Sequence, residues 1–204
     1  MTAKLSVLKP LFRFSLILMS VFILSRIALL VWQHQRLADG DSLAVLFGGL
    51  RVDLSSLGYL SALAVLILLA DLLVRSKTAF FQHVFTLYSS IVVTLIVVVE
   101  ASTPAFITQY DVRPNRLFVE YLDYPQEVFS MLLHGHLFAM ISTLIIVTLS
   151  CVFAYRYINT AFSKQQNAKT VGQVVILVTT LLVCLISARG TVSHRPLNPA
   201  LVYF

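Results

Sequence analysis

The longest interruption between the hydrophobic runs of this 204-residue chain is residues 100–127, EASTPAFITQYDVRPNRLFVEYLDYPQE. Two prolines, Pro104 and Pro114, disfavour a continuous helix across its first half. Its second half contains RLFVEYLDY, whose apolar side chains recur at helical spacing. We therefore predict a loop over residues 102–127 that carries a short amphipathic helix, residues 116–124, lying on a membrane surface.

The composition around this loop belongs to a membrane protein. Hydrophobic residues make up 58% of the chain, charged residues only 12%, and the mean hydropathy is +0.88, whereas about a quarter of the residues of a soluble domain are charged. The net charge of +6 could suit nucleic acid. However, the basic residues are scattered between apolar runs rather than clustered on one face, so we expect no nucleic-acid partner.

Three apolar runs precede the loop and two follow it, each near the length of about 20 residues that crosses a bilayer as a helix. No small-residue cleavage site follows the first run, which therefore predicts a retained anchor rather than a signal peptide. The expected fold is an all-α, five-helix transmembrane domain over residues 1–190, and residues 191–204 start a linker. The predicted spans are residues 11–32, 50–74, 80–101, 128–155 and 171–188.

The distribution of lysines predicts the orientation. With five spans, all five lysines fall on one face of the membrane, the face that carries the N-terminus. Lysine and arginine are enriched in cytoplasmic loops. We therefore expect the N-terminus to be cytoplasmic and the loop of residues 102–127 and the C-terminus to be extracytoplasmic.

Charged side chains inside spans are costly and are candidates for function. Except for Asp71, which we expect to pair with Arg75 four residues later, they fall near the outer face. We predict that they form one outward-facing site for the headgroup of an anionic phospholipid, with arginine forks binding phosphate. The alternative is that the arginines extend to the membrane surface and the acids cap or pair helices. The candidate residues are Arg26, Arg51, Asp53, Glu100, Arg113 and Arg116.

Two pairs of neighbouring polar residues need separate interpretation. Arg51 and Asp53 are two apart, so on a helix they diverge and each needs another partner. His134 and His136 diverge in the same way and lack the spacing of a zinc site, which favours an interfacial role. No phosphate-binding loop or nucleophile-elbow motif is present. We therefore assign no catalytic residue, metal ligand or cofactor to this chain.

Three segments carry a family resemblance: GGLRVDLSSLGYL at residues 48–60, YDVRPNRLFVEYLDYPQEVFSMLL at 110–133 and SARGTVSHRPLNP at 187–199. Together they resemble the N-terminal membrane region of the lipoteichoic acid synthase family, which includes bacterial phosphoglycerol transferases and sulfatase-like membrane proteins. The resemblance implies a multi-pass protein of the bacterial cytoplasmic (inner) membrane. It also implies an extracytoplasmic domain of the alkaline phosphatase superfamily after the fifth span. In that domain a threonine nucleophile and a divalent metal, usually manganese, transfer glycerol phosphate from phosphatidylglycerol.

The sequence departs from that pattern at its end, because Phe204 stands where the catalytic domain would begin. Neither the nucleophile nor any metal ligand maps onto it. We expect either a fragment of a longer enzyme or a truncated reading frame, and the apolar ending ALVYF favours the fragment. The chain would anchor its own catalytic domain and present phosphatidylglycerol to it; the transferred group could also be phosphoethanolamine-like or a sulfate ester. A transporter-like module and a purely structural anchor are the alternatives.

Overall fold

The computed structural model describes residues 5–33, 41–74, 79–114, 116–121, 123–135, 137–162 and 171–190. After a 3-10 turn, Ser6–Leu8, the helices in these ranges are α1 (Lys9–Trp32), α2 (Asp41–Val74), α3 (Phe80–Tyr110), α4 (Arg116–Tyr121), α5 (Pro125–Gly135), α6 (Leu137–Asn159) and α7 (Val171–Arg189). The segments long and apolar enough to cross a membrane are Ser6–Trp32, Leu46–Val74, Phe80–Tyr110, Leu137–Asn159 and Val171–Arg189. The described ranges contain no strand. The predicted all-α fold with five spans is confirmed, and the protein is a multi-span helical membrane protein.

The third span is longer than the sequence predicts. α3 continues through Pro104 to Tyr110, whereas the proline had indicated an end near residue 101. The hydroxyl groups of Thr103 and Thr108 bond to the carbonyl oxygens of Val99 and Pro104, at 2.9 and 2.8 Å; neither bonds to the carbonyl of Glu100, whose helical N–H partner Pro104 lacks. Because α3 continues to Tyr110, Glu100 lies well inside the helix rather than in its last turn.

The predicted fourth span, residues 128–155, falls in two described helices, one on each side of His136. α5 is described as far as Gly135, and within the described residues the segment long and apolar enough to cross the membrane here is α6. His134 lies in the last described turn of α5. His136 lies outside the described residues.

α2 begins earlier than predicted, whereas α4 begins where the short helix was predicted. α2 begins at Asp41 rather than at residue 50 and passes through Gly48 and Gly49 without a break. α4 falls within the predicted short helix of residues 116–124, and Pro125, after it, occupies the first position of α5, where proline is favoured. The location of α4 on the membrane surface stays a prediction.

α1 contacts α2, α3 and α6, and α2 also contacts α3. α7 packs mainly on α2, and α6 packs mainly on α3. Phe14 of α1 is fully buried, and its ring lies 6.4 Å from that of Phe85 and 6.1 Å from that of Tyr88, both on α3. These aromatic contacts fix α1 against α3.

The bundle has two chemically different ends. At one, called here the polar end, α1, α3 and α7 finish while α2 and α6 begin. At the opposite end, Arg13 of α1 donates to the carbonyl of Tyr157 and the hydroxyl of Thr160, both at 2.6 Å. Its guanidinium also lies 4.6 Å from the centre of the Tyr157 ring. Arg13 thus satisfies a carbonyl near the C-terminus of α6 and ties that helix to α1.

Candidate functional site

A buried ion pair joins α1 to α2 at the polar end. Nη2 of Arg26 lies 2.8 Å from each carboxylate oxygen of Asp53, and Nε lies 3.3 Å from Oδ2. The two side chains are only 6% and 8% exposed. Arg26 therefore does not extend to the membrane surface. Because loss of either partner would leave an uncompensated buried charge, the pair strongly couples the two helices.

Gly49 provides the space that the Arg26 guanidinium occupies. It is buried on α2, about one turn before Asp53. A Cβ atom at this position would lie 1.5 Å from Nη1 of Arg26 and 1.9 Å from Cζ. Glycine is thus required for the ion pair to keep this geometry, a role that was not predicted because the predicted second span begins only at residue 50.

A second ion pair, between Glu100 and Arg113, lies at the polar end of α3. Asp111 ends this helix in the left-handed conformation, with φ of 58°, and its N–H donates to the carbonyl of Ile107 at 2.9 Å. The chain then brings Arg113 back to Glu100, and Nη2 lies 2.9 Å from Oε2. The side chains of this pair are 23% and 15% exposed, so it is more accessible than the first.

Ser25 links the two ion pairs. It precedes Arg26 on α1 and donates its hydroxyl hydrogen bond to Oε2 of Glu100. This hydrogen bond holds the second ion pair next to the first. The four ionised side chains, Arg26, Asp53, Glu100 and Arg113, therefore form one network, called here the ionic cluster. It contains two positive and two negative charges and has no net charge.

Arg51 faces a different neighbour. Its side chain is exposed, and Nε donates to the carbonyl of Gly190 at 2.8 Å. Gly190 follows α7 and has φ of 65°, a conformation that glycine adopts readily and that commonly ends helices. The prediction that Arg51 and Asp53 diverge and find separate partners is confirmed.

The α2–α7 seam, which holds Gly190 in place, was not predicted from the sequence. Ser55 donates to the carbonyl of Ala188, and Ser187 donates to the carbonyl of Leu54 at 3.0 Å. A Cβ atom on Gly58 would lie 2.5 Å from the backbone nitrogen of Ala188. Ser55 and Gly58, three residues apart on one helix face, are the small-residue signal that allows such close approach in membranes.

The predicted candidate residues thus separate into groups. Four converge in the ionic cluster, Arg51 lies at the α2–α7 seam, and Arg116 begins α4 with its side chain outside the described set. Among the described residues the cluster arginines are each bound to a carboxylate, whereas Arg51 is bound to a carbonyl. Of the candidate arginines whose side chains are described, Arg51 is therefore the least neutralised contact for an anionic ligand. Neither family models nor solved structures yield a match to this chain.

Proposed function

We propose that the chain is the membrane module of a phosphoglycerol-transferase-like or sulfatase-like enzyme. In this role it anchors an extracytoplasmic catalytic domain and binds an anionic lipid headgroup, such as that of phosphatidylglycerol, at the polar end. The sequence resemblance supports the enzyme class. The observation that carries the lipid site is the contact between Arg51 and Gly190, because it sets an exposed cation beside the residue at which the chain leaves α7.

Arginine chemistry supports a phosphate ligand at this position. Nε of Arg51 is engaged by the Gly190 carbonyl, and within the described residues Arg51 forms no ion pair. The two Nη groups can therefore hold two phosphate oxygens of one headgroup. The α2–α7 seam fixes Arg51 relative to the end of α7, so a bound headgroup would stay next to the segment that follows.

The ionic cluster has a supporting role in this proposal. Having no net charge, it adds little attraction for an anion. Its contacts hold α1, α2 and α3 together, and rigid support of this kind keeps a ligand-binding side chain in its productive position. Any manganese of the implied enzyme would belong to its catalytic domain.

The positions of the charges argue against the transporter-like alternative. Transporters bind their substrates near the bilayer midplane. In the spans that the structure describes, Arg26, Asp53 and Glu100 lie toward the polar end, and Asp71 lies toward the opposite end. Glu100 lies ten residues before the end of α3 and Asp53 twelve residues after the start of α2, but both carboxylates are already bound by arginines rather than left open to a substrate. A structural anchor without a lipid site remains the competitor to be tested.

Retention of phosphatidylglycerol by the purified protein in native mass spectrometry tests the proposal. Arg51→Gln should weaken retention by about 10- to 150-fold, the equivalent of one charge-assisted contact of about 1.5–3 kcal/mol. Phosphatidylcholine retention should change less, because its headgroup has no net charge. Lys9→Gln, which removes an exposed charge at the opposite end, is the control. Equal phosphatidylglycerol retention by both variants would favour the anchor.

A further inference from the structure

A groove lies between α3 and α6, away from the polar end. Its volume is about 370 Å³. The residues that line it are Leu87, Ser90, Ile91, Thr94, Leu95, Cys151, Val152, Tyr155 and Arg156. Both helices are membrane spans, so the surroundings of this groove are lipid rather than water.

The wall of the groove is suited to a hydrocarbon ligand. The two hydroxyl groups that α3 contributes to it are already engaged within that helix, since Ser90 donates to Thr86 and Thr94 donates to Ser90, each to the carbonyl and each at 2.7 Å. The other residues that α3 contributes to the wall of the groove have aliphatic side chains and include Leu87 and Leu95. A ligand with hydrogen-bonding groups along its length would find no free partners for them on this part of the wall, whereas an alkyl chain has no hydrogen bonds to lose on entering the groove.

The length of the groove fits one leaflet. Leu87 and Leu95 are eight residues apart, which corresponds to about 12 Å along a helix. Half of a hydrocarbon core of about 30 Å is about 15 Å. The groove can therefore hold a large part of one acyl chain that enters from the membrane surface at the opposite end of the bundle.

The groove ends at Arg156, in the last turn of α6. The Arg156 side chain is exposed, and it forms no ion pair with the residues that the structure describes. Tyr155, also exposed, stands beside it, and tyrosine and arginine both favour the headgroup level of a bilayer. A cation at the mouth of an apolar groove complements a ligand with an anionic head and an alkyl tail.

We propose that the groove between α3 and α6 binds one acyl chain of an anionic glycerophospholipid whose phosphate contacts Arg156. This site is distinct from the one assigned to Arg51, because the two arginines lie at opposite ends of the bundle. The lysine distribution predicts that this lipid belongs to the cytoplasmic leaflet. The bound lipid would fill the seam between α3 and α6 and strengthen their association.

The wild-type protein allows a first test with its own thiol. Cys151 lines the groove and is partly exposed. Its alkylation by a small membrane-permeant maleimide should be slower in nanodiscs of phosphatidylglycerol than in nanodiscs of phosphatidylcholine with identical acyl chains. The same alkylation rate in both lipids would by itself overturn the proposal, without results from any variant.

Variants then separate the two parts of the ligand by native mass spectrometry. Arg156→Gln should reduce retention of the phosphatidylglycerol bound in the groove about tenfold, as expected for one charge-assisted contact. Val152→Trp fills the groove and should abolish binding of the lipid there. Ile146→Trp, on the exposed surface of the same helix, should leave that lipid bound. Unchanged retention in Val152→Trp would overturn the groove as a lipid site, and unchanged retention in Arg156→Gln would overturn the phosphate contact.

Discussion

Uncharged residues decide how the charged ones are held at the polar end. Ser25 joins the two ion pairs through Glu100, and Gly49 gives the Arg26 guanidinium its space. Gly190 presents its carbonyl to Arg51 from a left-handed backbone conformation. The charged residues attract attention in the sequence because charges in spans are rare. Their geometry nevertheless depends on neighbours that have no charge at all.

Gly49→Ala tests this dependence at one residue. The added methyl group would lie 1.5 Å from Nη1 of Arg26, so the guanidinium has to move and its two-oxygen contact with Asp53 is strained. We expect a loss of about 1–3 kcal/mol in the free energy of unfolding, the usual cost of overpacking. Reversible unfolding in mixed detergent micelles measures it.

Gly135→Ala provides the matched control for this prediction. No heavy atom lies within 4 Å of the position that a Cβ atom would take there. The substitution should therefore be neutral or stabilising by up to about 1 kcal/mol through helix propensity. In an Arg26→Met background, the cost of Gly49→Ala should fall because the obstructing guanidinium is gone. The same cost in both backgrounds would contradict the assigned cause.

At the scale of elements, the α2–α7 seam connects the candidate lipid site with the end of the last described helix. Two serine hydroxyls bond across it to backbone carbonyls, and Gly58 lets the two backbones meet. Such close packing of small residues gives van der Waals contact in a solvent that provides no hydrophobic drive for helix association. The position of Arg51 relative to Gly190 follows from this packing.

Gly58→Val should open the seam, because a side chain there meets the backbone of α7 at Ala188 and Cys184. Cys184 is buried, so its alkylation reports the opening. A loss of about 1.4 kcal/mol in local stability would raise that alkylation about tenfold. Cys151 on α6 serves as the internal reference and should react at an unchanged rate. Slow, wild-type alkylation of Cys184 in the variant would show that the seam tolerates the larger residue.

At the scale of the whole molecule, the number of spans was predictable because a run of about 20 apolar residues is a local signal. The convergence of Arg26, Asp53 and Glu100 followed from their similar depth. Helix ends were less predictable, since proline and glycine disfavour helix, yet Pro104 and Gly49 both lie inside long helices here. Arg51 lies apart from the ionic cluster because it faces the end of α7. Which helix faces a residue depends on the packing of distant segments, and the residues around Arg51 carry no signal for it.

The orientation of the bundle determines what the polar end can do, and the lysines predict that it faces outward. Asp123, between α4 and α5, and Asn159, at the end of α6, are both exposed and lie at opposite ends of the bundle. In a chain with Cys151 and Cys184 replaced by serine, an impermeant maleimide applied to intact cells should label Asp123→Cys but not Asn159→Cys. Permeabilised cells should show both labelled. The reverse pattern would turn Arg51 and Gly190 toward the cytoplasm, where they could not serve an extracytoplasmic catalytic domain.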